Sequence, residues 1–598
     1  MGPSHRIICE NDPMPSASPG VAGVDPGQRP LNGPQTTGRT YQNLSEPRHR
    51  LVTDLDVAVP MRDATTLRAD IHRPVDGGKY PVLIAASPYP RQIQDLGAPM
   101  GFIEAGATDF FVPRGYVHVI ANLRGTCGSE GTFGFHDAQE RLDLFDLVEW
   151  AAEQPWSNGR IGMIGISYFA MTQLEAASEH PPHLEAIFPI ATSSDLYEGV
   201  YHHGLFNATF ISPFLSMVGT TSEHNDLWRG TLIAAARRVL NTPRLHKKFA
   251  TMNGESSIGI MKAALRLHHD PHPWDDLWRS VAVEHQIRDA WWDERNVLPL
   301  LEDVTIPVYL GCDWENVPLH LPGTFDALQA LGHNPRVRVA MLGQFGLTWP
   351  WESLHVEALA WFDHWLKDQD TGILEGPPIR YWLPVADEWR TADSWPPAGY
   401  DLRELVLSAD GSLEESGQPA GSREYLTLGS GLNRTRTSPT DPPPFLTWTT
   451  RPLEQDWDVV GNMEVLLDAQ SSAIDTAWIL TLQDVAADGS TADITQGYLR
   501  ASLRRVDDEA SRPGAPELSC RESEAIPIGE TVRYRIPLVP NARRLVAGHR
   551  LRLVLTSDDQ RKDAPAMMGF RHGTVGTNSI NKVLASSRIL LPVSEGTH

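Results

Sequence analysis

Residues 162–173 read Gly162-Met163-Ile164-Gly165-Ile166-Ser167-Tyr168-Phe169-Ala170-Met171-Thr172-Gln173. An apolar run that enters Gly-x-Ser and leaves through helix-forming residues is the pattern of a nucleophile elbow. There a tight strand-to-helix turn lifts a serine hydroxyl to the carboxyl edge of a sheet, and the helix N-terminus favours developing negative charge. Phe169 stands where the common pattern has a second glycine. A plainer reading makes Ser167 a helix N-cap, so the weight of the motif rests on its surroundings.

On both sides of the motif, short apolar runs bounded by Gly, Pro or polar residues suit buried parallel strands. They are Pro81–Ser87, Val117–Asn122, Ile161–Ser167 and Leu184–Ala191. Between the second and third runs lies AQERLDLFDLVEWAAEQ, where Leu142, Phe145, Val148 and Ala152 recur at helical spacing. Strand, helix, strand predicts an α/β sheet. That alternation fades over 196–300, a stretch rich in His and Trp that is expected to be an inserted helical cap. It returns with Pro307–Cys312, a helix near 322–331, the strand Arg336–Gly343 and a helix over 353–367.

After Pro377 the pattern becomes alternating, as in Val532, Tyr534, Ile536 and Leu551, Leu553, Leu555, with turn pairs such as Asp488–Gly489. The expected organisation is a flexible tail over 1–45, dense in Pro and Gly, then an α/β-hydrolase domain over 46–195 and 301–375. The helical cap occupies 196–300, and an all-β jelly-roll-like domain 376–598.

In an α/β-hydrolase the catalytic residues follow the chain order serine, acid, histidine, each after a later strand. Asp313, Trp314, Glu315 and Asn316 follow the strand ending at Cys312, and His355 is the only histidine between Arg336–Gly343 and residue 360. A carboxylate and an imidazole thus fall in the loops where a Ser-His-Asp triad needs them. Asp313 directly follows the strand, with Glu315 as the reserve acid; His320 competes with His355 as the base.

The totals bound the function classes. A chain of 598 residues exceeds the roughly 250–300 residues at which one core stops growing. A formal net charge of -24 disfavours binding nucleic acid, which needs a basic face. Four scattered cysteines, Cys9, Cys127, Cys312 and Cys520, show neither zinc spacing nor a disulfide framework and read as free thiols in a reducing compartment. No apolar run has signal-peptide or membrane-spanning length, so a cytoplasmic location without membrane association is expected. His268-His269-Asp270-Pro271-His272 lacks a helical i, i+4 histidine pair and reads as a cap loop, so no metal is expected. Arg124–Gly131 is Gly-rich but lacks the phosphate-loop pattern and reads as a sheet-edge turn.

The chain resembles the cocaine esterase and X-prolyl dipeptidyl-peptidase family of serine hydrolases over nearly everything after residue 50. The resemblance is carried by Ser87-Pro88-Tyr89, Arg124–Gly131, Gly165–Tyr168, His272–Trp278, Trp361–Lys367, Thr450–Leu453 and Asp475–Trp478. It implies an α/β-hydrolase with a helical cap and a C-terminal jelly roll, cleaving small-molecule esters or amides without a cofactor. Ser167 would be the nucleophile, with the Tyr89 hydroxyl and the Tyr168 backbone N–H as an oxyanion hole. The family's Gly-Pro-Trp-x-His stretch after the last strand is replaced by Gly343-Gln344-Phe345-Gly346-Leu347. The alternatives are an X-Pro dipeptidyl aminopeptidase or amidase, and a binding protein that has lost its catalytic groups. Whether the chain forms a homo-oligomer is open.

Overall fold

In a computed structural model of the protein, the described residues are 6–7 (backbone only), 35–95, 103–221, 239, 242, 276–343, 347, 353–416, 420–428, 442–575 and 578–595. The His268–His272 stretch, Cys9 and most of the replaced Gly343–Leu347 stretch lie outside them.

The first half of the chain builds a sheet in the order β1-β2-β3-β5-β4-β6-β7-β10-β11-β12-β13. Its strands are β1 (Arg6–Ile7), β2 (Leu51–Pro60), β3 (Thr66–Pro74), β4 (Tyr80–Ser87), β5 (Val117–Asn122), β6 (Ser157–Ile166), β7 (Leu184–Ile190), β10 (Val308–Asp313), β11 (Val337–Leu342), β12 (Ile379–Leu383) and β13 (Glu388–Ala392). A small ribbon of β8 (Tyr201–His202) and β9 (Leu205–Phe206) stands apart. From β5 to β12 the pairing is parallel, and antiparallel strands close both edges. β4, β5, β6 and β7 are almost wholly buried along the runs that the sequence marks as apolar. Helices covering both faces leave no polar alternation in such strands.

The helices are α1 (Thr108–Phe111), α2 (Ala138–Ala152), α3 (Tyr168–Ser178), α4 (Leu196–Val200), α5 (Ala208–Gly219), α6 (Ala290–Glu294), α7 (Leu321–Ala330) and α8 (His355–Lys367). In α2 the buried face is Leu144, Leu147, Val148 and Ala151, together with Glu140 and Asp143. The expected stripe of Leu142, Phe145, Val148 and Ala152 is thus rotated: Leu142 and Phe145 are half-buried, and Arg62 lies over the Phe145 ring. Buried acids on the inner face mislead a reading that assigns polar residues to solvent.

Residues 35–45, which composition assigns to the tail, run across α8. The Thr37 amide donates to Glu357 at 2.9 Å, and Ser45 binds Asp363 through its amide at 2.7 Å and its hydroxyl at 2.8 Å. Buried acceptors on α8 order a segment too polar to order itself.

The second half is all-β, with an eleven-stranded antiparallel sheet whose longest pairing joins Trp457–Ser471 to Val532–Leu545. Asp488–Gly489 turns between Ala477–Val485 and Thr491–Arg500, with Gly489 at φ 87° as the tight turn requires. This half meets the hydrolase domain at the elements after β7. Thr209 of α5 exchanges hydrogen bonds with the Arg571 backbone, and Phe210 packs on Phe570 at 4.8 Å. Cys127, Cys312 and Cys520 are buried free thiols.

Candidate active site

Ser167 caps α3 at φ 62°, ψ -121°, a conformation that β-carbon-bearing residues rarely adopt. Its amide donates to the Ile190 carbonyl at 3.1 Å, and its carbonyl accepts from Ala170 and Met171 at 2.8 and 3.0 Å. The strained turn is therefore tied to both β7 and its own helix. Strain of this kind persists only where the surroundings over-determine it, and it concentrates at functional sites. Gly165, at φ 138°, is obligatory: a Cβ there would lie 2.4 Å from Cβ of Phe169. Phe169 is fully buried and takes up the space beside the turn.

The Tyr89 phenol lies beside the Ser167 side chain and interacts with it. Burial holds the Tyr89 phenol well above its ordinary range, and the neighbouring Glu104 carboxylate adds to the shift, so the hydroxyl keeps its proton and stays a donor. The Tyr89 ring is walled by Tyr168, Phe169 and Phe214 at 6.1, 5.9 and 6.4 Å. Above the turn, the Glu104 carbonyl accepts the Ile166 amide at 3.2 Å, and Gln94 Oε1 accepts the amides of Glu104 and Ala105. Glu104 and Gln94 were not singled out in the sequence, because nothing in their local pattern reports a contact made across ten residues or more.

Asp313 ends β10 and is buried. Burial raises its pKa, while hydrogen bonds from the Asn316 side chain, the Leu347 amide and the Asn316 amide oppose the rise, at 2.8, 3.3 and 3.1 Å. Glu315 is pushed up to about 8 by burial and by the Asp313 charge. His355 opens α8 and is fully buried, stacked on Phe110 at 5.7 Å and edge-on to Phe111 at 5.3 Å. Its Nε2 lies 3.9 Å from where a Cβ on Gly106 would sit. His320 binds the Ser193 hydroxyl through Nδ1 at 3.0 Å, and burial lowers its pKa to about 3. The structure thus joins Ser167, Tyr89 and Tyr168 in one contact group. Asp313 is seated with Asn316 and Leu347, and His355 with α1 and the Gly106 turn.

Directly behind the elbow lies a group the sequence reading passed over. His136, Glu140 and Glu175 are all buried, and the Tyr168 hydroxyl donates to Glu140 at 3.0 Å. The i, i+4 spacing of His136 and Glu140 was the available signal.

Family models match in two adjoining blocks: X-Pro dipeptidyl-peptidase (S15 family) over residues 63–346, and the X-Pro dipeptidyl-peptidase C-terminal non-catalytic domain over 356–568. The chain belongs to the X-Pro dipeptidyl-peptidase S15 family of serine hydrolases. Within that family it is 24% identical to a putative serine esterase of Mycobacterium tuberculosis, over 87% of this chain and 92% of that one. It is 25% identical to the cocaine esterase of a Rhodococcus species, over 84% and 90% respectively. A CocE/NonD family hydrolase from Staphylococcus aureus has the same fold at a TM-score of 0.71 and 21% identity, covering 91% of this chain and 94% of that one. The first model covers the α/β sheet with its elbow, and the second most of the all-β domain. Among the described residues, no helix is long and apolar enough to cross a membrane.

Proposed function

We propose that the protein hydrolyses small carboxylic esters through an acyl-enzyme on Ser167. The observation that carries this reading is the strained Ser167 turn, with the protonated Tyr89 hydroxyl beside the nucleophile. In the reaction, the Ser167 oxygen bonds to the substrate carbonyl carbon as its proton passes to His355, and the carbonyl oxygen becomes an oxyanion held by the Tyr89 hydroxyl and the Tyr168 amide. His355 returns the proton to the departing alcohol as the ester C–O bond breaks. Water then gives a proton to His355 as it attacks the acyl carbon, and His355 passes that proton to the Ser167 oxygen as the acyl C–O bond breaks, which frees the acid and restores the Ser167 hydroxyl. Asp313 is assigned as the carboxylate that orients the imidazole.

His355 as base is supported by its place after β11 and by the approach of Nε2 to the Gly106 turn, whose neighbour Glu104 bonds the residue before Ser167. Among the relatives, a cocaine esterase and a putative serine esterase align over most of both chains, whereas the Xaa-Pro dipeptidyl-peptidases of Bacillus match about half of this chain. Coverage therefore favours ester over amide. We assign residues 46–195 and 301–375 to the catalytic domain, 196–300 to the cap and 376–598 to the C-terminal domain. The free thiols support a reducing, cytoplasmic setting.

The reading is tested by stopped-flow hydrolysis of p-nitrophenyl acetate with wild type and Ser167→Ala. A burst of p-nitrophenol stoichiometric with wild type and missing from the variant supports it. Equal steady rates for the two proteins overturn it.

A further inference from the structure

The residue that follows the nucleophile is held from behind by three buried titratable groups. The Tyr168 hydroxyl donates to Glu140, at 3.0 Å from Oε1 and 3.3 Å from Oε2, and the His136 ring stacks on the Tyr168 ring at 4.0 Å and 23°. The His136 amide donates to Glu140 Oε2 at 3.0 Å, which turns Oε1 towards His136 Nδ1, 3.7 Å away. Glu175 Oε1 lies 2.7 Å from the same Nδ1. The exposures of His136, Glu140 and Glu175 are 1%, 4% and 5%, so water does not screen them.

We propose that His136, Glu140 and Glu175 form a proton-sharing clamp that positions Tyr168, and through it the amide beside Ser167. The proposal rests on the reading of Ser167 as the nucleophile and adds three positioning residues to it. Its physical basis is charge. The charged groups facing the clamp are Asp137 and Arg141 on the α2 side and Arg295 after α6. Arg141 gives its hydrogen bonds to Glu179 and the Glu294 carbonyl. Arg295 gives its own to the carbonyls of Phe135, Gly134 and Trp291 and to Glu294. Among the described residues no arginine or lysine bonds Glu140 or Glu175, so two ionised carboxylates would stand in a dry site with no paired cation to offset their desolvation.

Protons resolve this. Burial pushes Glu140 and Glu175 each up to about 8 and His136 down to about 4. At neutral pH the clamp is therefore uncharged, with a proton held between His136 Nδ1 and Glu175 Oε1. Above about pH 8 it turns negative beneath the very amide that is to meet an oxyanion, and the transition state loses stabilisation. A divalent cation is the competing occupant, since the three groups could together ligate one. The 2.7 Å between Nδ1 and Oε1 argues against it. Two ligands about 2.0 Å from a tetrahedral zinc stand roughly 3.3 Å apart.

The test compares the pH dependence of kcat for p-nitrophenyl acetate in wild type and Glu175→Gln, each checked for folding by circular dichroism and for bound metal by mass spectrometry. The clamp predicts that wild-type kcat falls as pH rises through about 8, and that Glu175→Gln, which leaves Glu140 as the one titrating carboxyl in place of two, makes the fall shallower with KM unchanged. Superimposable profiles from two folded proteins overturn it, as does one divalent metal ion per chain. A readout independent of turnover is the infrared difference between the two proteins at pH 7. The clamp requires protonated-carboxyl carbonyl absorption that is stronger in wild type, with two such carboxyls, than in the variant, with Glu140 alone, and equal absorption overturns the clamp. Failure of a fluorophosphonate to label Ser167 overturns the hydrolase reading alone, and the infrared result then decides the clamp by itself.

Discussion

The Tyr89 phenol stands beside the side chain of Ser167, and burial together with the Glu104 charge keeps its hydroxyl protonated. A donor fixed at the nucleophile and unable to ionise in the working pH range is preorganised for an oxyanion, where it need not reorient as charge develops.

Removing that donor tests its role. Tyr89→Phe keeps the ring against Tyr168, Phe169 and Phe214. It is expected to lower kcat for p-nitrophenyl acetate about 10²–10³-fold with little change in KM, as for other single oxyanion donors. An unchanged kcat removes Tyr89 from the hole.

The elbow itself is tested at Gly165. An added methyl meets Phe169 at 2.4 Å in a backbone conformation of φ 138°. Gly165→Ala is therefore expected to cost roughly 1–3 kcal/mol in denaturant unfolding and to lower activity by more than the stability loss explains. In a Phe169→Gly background, whose emptied site carries its own cost, adding Gly165→Ala is expected to cost less than it does in wild type, because the clash partner is gone while the backbone strain stays.

Histidine assignment is decided by a pair of variants. His355→Ala is expected to lower kcat about 10⁴-fold, the scale of a triad defect. His320→Ala is expected to stay within about tenfold, since its ring engages Ser193 and burial keeps it neutral down to about pH 3. The reverse ranking would assign the base to His320.

His118 sets a pH dependence of stability. It is buried on β5, bonded through Nδ1 to the Thr108 hydroxyl at 2.9 Å, and burial lowers its pKa from 6.5 to about 3. Between those values the unfolded chain takes up a proton that the folded chain refuses, so this histidine's contribution to stability falls as pH drops from about 6.5 towards 3. Urea unfolding of wild type against His118→Gln is expected to show the gap narrowing over that window. A gap constant with pH contradicts the assignment.

The elbow and its sheet were legible because both are local. Gly165-Ile166-Ser167 needs no distant partner to be read, and strands buried on both faces spell continuous apolar runs. The strands on either side of Asp313 and His355 were equally plain. Less legible was whatever depends on pairing across the chain. Glu140 and Glu175 sit on inner helix faces, where charge ordinarily signals solvent, and only their meeting with His136 explains them. Residues 35–45 looked like tail because the acceptors that order them, Glu357 and Asp363, come more than 300 residues later. The antiparallel β2 and β3 at the sheet edge carried mixed burial rather than a clean run and were not foreseen as strands.

Whether Ser167 is an activated nucleophile is decided by covalent labelling of the purified protein with a fluorophosphonate, followed by intact and peptide mass measurement. One adduct per chain is expected, carried by Ser167 and absent from Ser167→Ala. A folded wild type that takes up no label, or takes it up on another residue, would contradict it.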